Sequence, residues 1–243
     1  MANLEWRRLA DLEGYVVTAD QTVRAVALFC HGFGAPGDDL VPLGAQLLNS
    51  SPDLLDGVEL VFPAGPLSLA EAGYPGGRAW WPLDLERFSR AVDLKYFEEM
   101  RQHIPDQLAL ARAKILAVID QVLAQTQLPL SRLVIGGFSQ GAMLATDVAL
   151  HLPSPVGGLV IWSGSLLNEK NWKELSPRLQ GVPVVQSHGR DDAVLPYESA
   201  LWLRDLLEEA GADVRFLAFR GGHSISPEAM HAAGQLLEQV AEK

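Results

Sequence analysis

The chain has 243 residues, of which 48% are hydrophobic and 20% charged. That supplies ample core material and excludes disorder, a collagen-like repeat or a coiled coil as a description of the whole chain. Nineteen basic against 30 acidic residues leave a net charge of −11, which repels nucleic-acid phosphates and anionic membranes; Arg7 and Arg8, the densest basic cluster, are too few to reverse this.

Met1–Arg8 lacks a basic stretch followed by an apolar run, so no signal peptide is expected. No apolar segment approaches the roughly 18 residues that span a bilayer. The one cysteine, Cys30, allows no intrachain disulfide, as in a reducing compartment. The expected location is the cytoplasm, with no stable membrane insertion and no nucleic-acid partner. A homodimer is common at this size.

In chain order, Tyr15–Thr18 reads as an extra edge strand. Ala25–Cys30 and Val58–Phe62 are apolar throughout and read as buried strands, with a helix around Leu40–Leu48 between them. Pro63–Asp84, with Pro63, Pro66, Pro75 and Pro82, cannot be regular throughout. A loop this long in a compact domain is usually functional, and one that starts at a strand end is placed to build a site. Ile104, Leu108, Ala111, Ile115, Ile119 and Val122 recur every three or four residues, the mark of a long amphipathic helix. Beyond it, strands at Arg132–Gly137, Gly158–Trp162, Val182–Ser187 and Val214–Phe219 alternate with helices at Gln140–His151, Tyr197–Ala210 and Pro227–Val240. Near-continuous apolar strands alternating with helices predict an α/β fold: one domain over residues 1–243, its mostly parallel sheet covered on both faces.

Gly137-Phe-Ser-Gln-Gly141 matches G-x-S-x-G. The bare pattern is weak, but it directly follows a strand and directly precedes a helix, the setting that a nucleophile elbow requires. A plainer reading is a glycine-rich turn with a capping serine. A serine hydroxyl needs a base, and the base an orienting acid, in the chain order Ser, acid, His. The acid lies in His188-Gly-Arg-Asp-Asp-Ala-Val-Leu-Pro196, after a strand, where Asp191 and Asp192 both qualify. The base lies in Arg220-Gly-Gly-His-Ser224, again after a strand. All fall on strand-end loops along one sheet edge, where α/β ligands bind.

Among the other histidines, His103, His151 and His231 fall within or at the ends of helices and read as surface residues. His188 reads as a structural hydrogen-bonding residue, and His31 as a brace for the Gly32–Gly34 turn. Only His223 has the order and loop position of a general base. With no HExxH and no paired CxxC, no metal is expected, and the chemistry needs no cofactor. Cys30 reads as a small core residue. The turn Leu28-Phe-Cys-His-Gly-Phe-Gly34 ends an early strand, so backbone N–H groups of Phe33 and Gln140 are the expected oxyanion donors. Trp80 and Trp81 are the obvious apolar material for walling a substrate pocket together with Phe33; the plainer reading is that they anchor the loop to the core.

Phe29-Cys-His-Gly-Phe-Gly34, Gly136-Gly-Phe-Ser-Gln-Gly141, the acid loop to Pro196 and Gly222-His-Ser-Ile-Ser226 together resemble the acyl-protein thioesterase and bacterial carboxylesterase (phospholipase/carboxylesterase) group of α/β-hydrolases. The resemblance implies an α/β-hydrolase fold without a separate cap domain. It selects Asp192, four residues before Pro196, giving the triad Ser139, Asp192 and His223. It implies a serine hydrolase acting on esters or thioesters; the two bulky tryptophans near the mouth favour carboxylic esters with short to medium acyl chains, with acyl-protein thioesterase or lysophospholipase as the alternative. Two departures, the bulky Trp80-Trp-Pro82 and Arg190 where an acidic residue is usual, bear on substrate choice. A non-catalytic ligand-binding protein on the same scaffold is the remote rival.

Overall fold

Two strands open the chain as an antiparallel hairpin, β1 (Asn3–Leu9) and β2 (Leu12–Thr18), around Ala10 at φ 53°. The computed structural model describes residues 3–18, 22–49, 54, 57–83 and 101–243. Trp6 crosses Tyr15 edge-to-face at 4.7 Å between ring centroids, the kind of cross-strand pair that fixes a hairpin's register. The strand expected at Tyr15–Thr18 is therefore the end of β2, and β1 occupies the edge outside it. β1 lacks a buried run: Leu4 and Trp6 both face outward.

The chain continues through β3 (Ala25–Cys30), α1 (Val41–Asn49) and β4 (Val58–Pro63). Two-residue strands β5 (Leu67–Ser68) and β6 (Arg78–Ala79) pair within the irregular stretch. Then come α2 (Leu108–Thr126), β7 (Leu133–Phe138), α3 (Gln140–His151), β8 (Gly158–Trp162) and α4 (Glu169–Leu175). β9 (Pro183–Gly189), α5 (Tyr197–Glu209), β10 (Asp213–Phe219) and α6 (Pro227–Glu242) complete the chain. Asp84, the last residue of the irregular stretch, lies outside the described residues.

The eight long strands form one sheet in the order β1-β2-β4-β3-β7-β8-β9-β10. β1, β2 and β4 pair antiparallel, and every pair from β4 to β10 is parallel. The strands β3, β4 and β7–β9 are buried almost throughout, because helices cover both faces. On one face α1 and α6 pack on Phe29, Leu60, Phe62 and Trp162; on the other α2 to α5 pack on Leu28, Leu133, Ile135 and Ile161.

Helix α2 is shorter than its apolar period. Ile104 is 61% exposed and outside it, since Pro105 biases the preceding residue away from helical angles and Gln107 turns left-handed at φ 67°. α6 starts as its sequence dictates, with Ser226 accepting from the Ala229 N–H and Pro227 in the first turn. Among the described residues no helix is long and apolar enough to cross a membrane. β3 has β4 on one side and β7 on the other. That is a topological switch point, where ligands bind beyond the carboxyl ends of the strands. His31 and Ser139 are the first residues beyond the ends of β3 and β7.

Candidate active site

β7 runs straight into α3 through Ser139, held at φ 55° and ψ −118°. Such an angle is uncommon for a residue with a side chain, and strained backbone of this kind collects at functional sites. The two motif glycines make the turn possible. A Cβ on Gly137 would sit 2.4 Å from the Cys30 carbonyl oxygen, and one on Gly141 would sit 2.0 Å from the same atom. Both positions are pressed against the backbone leaving β3, so no side chain fits. The Ser139 N–H donates to Trp162 at the end of β8, and the Ser139 carbonyl accepts from Ala142 and Met143 at the start of α3.

The acid and histidine loops are built as one unit. Arg190 N–H donates to the Phe219 carbonyl at 2.9 Å, and Asp191 N–H to Gly221 at 3.0 Å. Gly189 is required by this approach: a Cβ there would sit 2.3 Å from the carbonyl oxygens of Gly221 and Gly222. Asp192 is buried and Asp191 exposed. His223 Nδ1 donates to Asp192 Oδ2 at 2.7 Å, leaving Nε2 as the basic nitrogen. Asp192 Oδ1 accepts from the N–H groups of Val194 and Leu195, both at 2.9 Å. Burial alone would raise the Asp192 carboxyl. The hydrogen bonds from His188 and His223, the His223 charge and the Leu195 N–H outweigh it and hold the group well below the usual carboxylate range.

The structure hydrogen-bonds Asp192 to His223 and packs the His223 ring, tilted, against Phe138, the residue before Ser139, at 4.8 Å between ring centroids. Among the described residues no hydrogen bond joins the Ser139 hydroxyl to His223. In unliganded hydrolases this bond is commonly long and tightens with substrate. The Ser163 hydroxyl, on the turn after β8, donates to the Ser224 carbonyl at 3.0 Å and ties the histidine loop to the sheet.

The loop after β3 faces the elbow. A Cβ on Gly32 would lie 3.5 Å from Ser139 Cβ. Among the described residues, the backbone N–H groups of Phe33 and Gln140 have no hydrogen-bond partner. Around them, the His31 side chain and the Gly34 N–H are held in place. His31 Nδ1 donates to the Gly32 carbonyl at 2.7 Å and its Nε2 accepts from the Gly65 N–H at 2.8 Å. Burial pulls this imidazole down to about 4, which keeps Nε2 an acceptor. Gly34 N–H donates to Arg78, and Arg78 N–H to Ala35, both at 2.9 Å.

Trp80 and Trp81 are placed otherwise than a pocket wall requires. Both are buried, 1% and 2% exposed, in the core beside Leu28, Cys30 and Ile135. Trp80 Nε1 donates to the His31 carbonyl at 2.9 Å. The Gln140 side chain clasps the same segment: Oε1 accepts from the Trp80 N–H and Nε2 donates to the Trp81 carbonyl, each at 3.0 Å. The exposed aromatic of the excursion is Tyr74, edge-to-face on half-buried Phe33 at 6.3 Å. The Gln140 clasp is invisible in sequence, since the motif points only to the backbone N–H at that position.

Among the described residues no three His, Cys, Asp or Glu side chains are grouped to hold a metal. Cys30 is fully buried, and burial raises its thiol strongly, away from the reactive thiolate.

This fold and this arrangement define a serine hydrolase of the α/β-hydrolase class. The chain belongs to the phospholipase/carboxylesterase family, whose model matches residues 13–241. It is 32% identical over 219 residues to acyl-protein thioesterase 1 of Eremothecium gossypii, covering 88% of this chain and 86% of that protein. It is 27% identical to carboxylesterase SOBER1 of Arabidopsis thaliana over 84% of this chain and 85% of that one. The crystal structure of esterase PE8 superposes with a TM-score of 0.79 at 28% identity, covering 94% of this chain and 99% of the other. Membership makes the protein a carboxylic ester hydrolase.

Proposed function

We propose that Ser139 is the nucleophile, His223 the general base and Asp192 the residue that orients it. The observation that carries this reading is the 2.7 Å bond from His223 Nδ1 to a buried Asp192, beside a serine held at φ 55° between strand and helix. His223 Nε2 accepts the Ser139 proton as the hydroxyl oxygen bonds to the ester carbonyl carbon. The carbonyl oxygen takes the negative charge and is met by the N–H groups of Phe33 and Gln140. His223 returns the proton to the departing alcohol, and the acyl group stays on Ser139. Water, deprotonated by His223, then attacks the acyl carbon and releases the acid. Two groups free to donate, just past the ends of adjacent strands, support the oxyanion assignment.

The substrate in this reading is a small ester with a short to medium acyl chain, handled in the cytoplasm. Trp80 and Trp81 act as anchors of the oxyanion loop, and the Phe33–Tyr74 pair is an aromatic surface beside the Phe33 donor. A second reading, thioester hydrolysis on acylated proteins, is favoured by the 32% identity to a protein named acyl-protein thioesterase. The triad chemistry is common to both. Steady-state rates on p-nitrophenyl esters of increasing length, beside an acyl-CoA and a lysolipid, separate them. The ester reading expects the highest kcat/KM on short to medium esters; a higher kcat/KM on the thioester overturns it.

A further inference from the structure

Two imidazoles stand at Asp192. Besides His223, His188 Nε2 lies 3.3 Å from Oδ2, the oxygen that also takes the 2.7 Å bond. With Val194 and Leu195 on Oδ1, two donors stand at each oxygen. That is as many as a carboxylate accepts, so its orientation is fully determined.

The donor is identified by its surroundings. His188 Nε2 is 2.8 Å from the Leu195 carbonyl oxygen and 3.3 Å from Asp192 Oδ2, two groups that only accept. Nε2 therefore carries a proton shared between them. Nδ1 is buried and has no partner among the described residues, which leaves it nothing to gain by holding that proton. The ring is fully buried at the end of β9, four residues before Asp192. Around it stand Asp192 from its own loop, Tyr197 of α5 at 6.2 Å between ring centroids and, stacked over that tyrosine, Arg190; its partner across the ladder on β10 is the uncharged Ala218.

We propose that His188 is a positioning residue: its Nε2–H bridges Leu195 O and Asp192 Oδ2, so that β9 itself aims the carboxylate at His223. The inference rests on the triad reading above. It goes beyond the structural hydrogen bond expected of His188, because the partner is the orienting acid. His188 shares the negative charge of Asp192 and limits how strongly the carboxylate holds a proton on His223.

Two substitutions test it. His188→Leu removes the donor at similar volume, and His188→Gln puts an amide N–H near the Nε2 position. The leucine variant is expected to lower kcat about tenfold with KM little changed. It should also move the acid limb of the kcat/KM profile up by about half to one pH unit. The glutamine variant is expected to recover most of both. In an Asp192→Asn background, His188→Leu is expected to cost less than about twofold more, since residues acting through one another are not additive. An unmoved acid limb in His188→Leu, or a full loss repeated in the Asp192→Asn background, overturns the inference while leaving the triad standing. If Asp192→Asn itself keeps its activity, the triad reading falls and this inference with it. The nitrogen-15 imidazole spectrum of the unaltered protein is an independent check that needs no folded variant: His188 protonated on Nε2 is expected, and protonation on Nδ1 overturns the proposal.

Discussion

At Ser139 the backbone leaves its ordinary range because β3 presses on the turn, and the motif glycines record that pressure. A Cβ at Gly141 meets the Cys30 carbonyl at 2.0 Å, whereas one at Gly76 (φ +77°) has nothing within 4 Å. Gly141→Ala is expected to cost at least 1–3 kcal/mol through overpacking and to remove activity. Gly76→Ala is expected to cost only about 1 kcal/mol, from its left-handed angle. Thermal unfolding and esterase rates on both variants check the contrast. Asp192→Asn is expected to lower kcat by about 10⁴ by analogy with other triads, and Asp191→Asn to be much milder; the opposite ranking contradicts the assignment. Adjacent aspartates on one loop cannot be separated by pattern alone. What distinguishes them is that Asp192 turns inward onto the Val194 and Leu195 N–H groups, a three-dimensional fact.

The long elements were legible because burial leaves a periodic trace. β3, β7, β8 and β9 are covered on both faces and read as apolar runs, and α3 was placed at Gln140–His151. The failures have physical causes. β1 hides because Leu4 and Trp6 face solvent and only Leu9 is buried, and seven-residue α4 is too short to show a period. The excursion between β4 and α2 was legible as irregular, but not in its packing. Its tryptophans serve the core and the loop after β3, through bonds to His31 and Gln140 that link residues some 50 to 60 positions apart. Trp80→Ala and Trp81→Ala are each expected to cost about 3–5 kcal/mol while keeping the parent's ranking of butyrate over decanoate esters, or the reverse. A variant that keeps its Tm but changes that ranking restores the pocket-wall role.

Across the whole molecule, acid sensitivity follows from which groups the fold buries. His31 has an ordinary value of 6.5 and is pulled down to about 4, so the unfolded chain binds more protons between these values. Its contribution is whole above about pH 6.5 and is lost as pH falls toward 4, by up to about 3 kcal/mol. Asp39 runs the other way: burial pushes it up to about 6, so stability it confers in acid is lost as pH rises from about 4 to 6. Asp192, depressed in the fold, adds stability above its ordinary 3.8 that disappears as pH falls below it. His31→Gln is therefore expected to flatten the stability decline from pH 6.5 to 4, as measured by urea unfolding; an unchanged slope contradicts the burial argument.

The assembled sheet edge makes one claim above the others, that Ser139 alone forms the acyl-enzyme. A fluorophosphonate followed by intact-mass and peptide analysis tests it most directly. The account predicts one adduct per chain, located on Ser139, activity lost in proportion to labelling, and a folded Ser139→Ala variant that neither labels nor turns over ester. An adduct on any other residue, or a Ser139→Ala variant that keeps more than a few per cent of kcat, contradicts it.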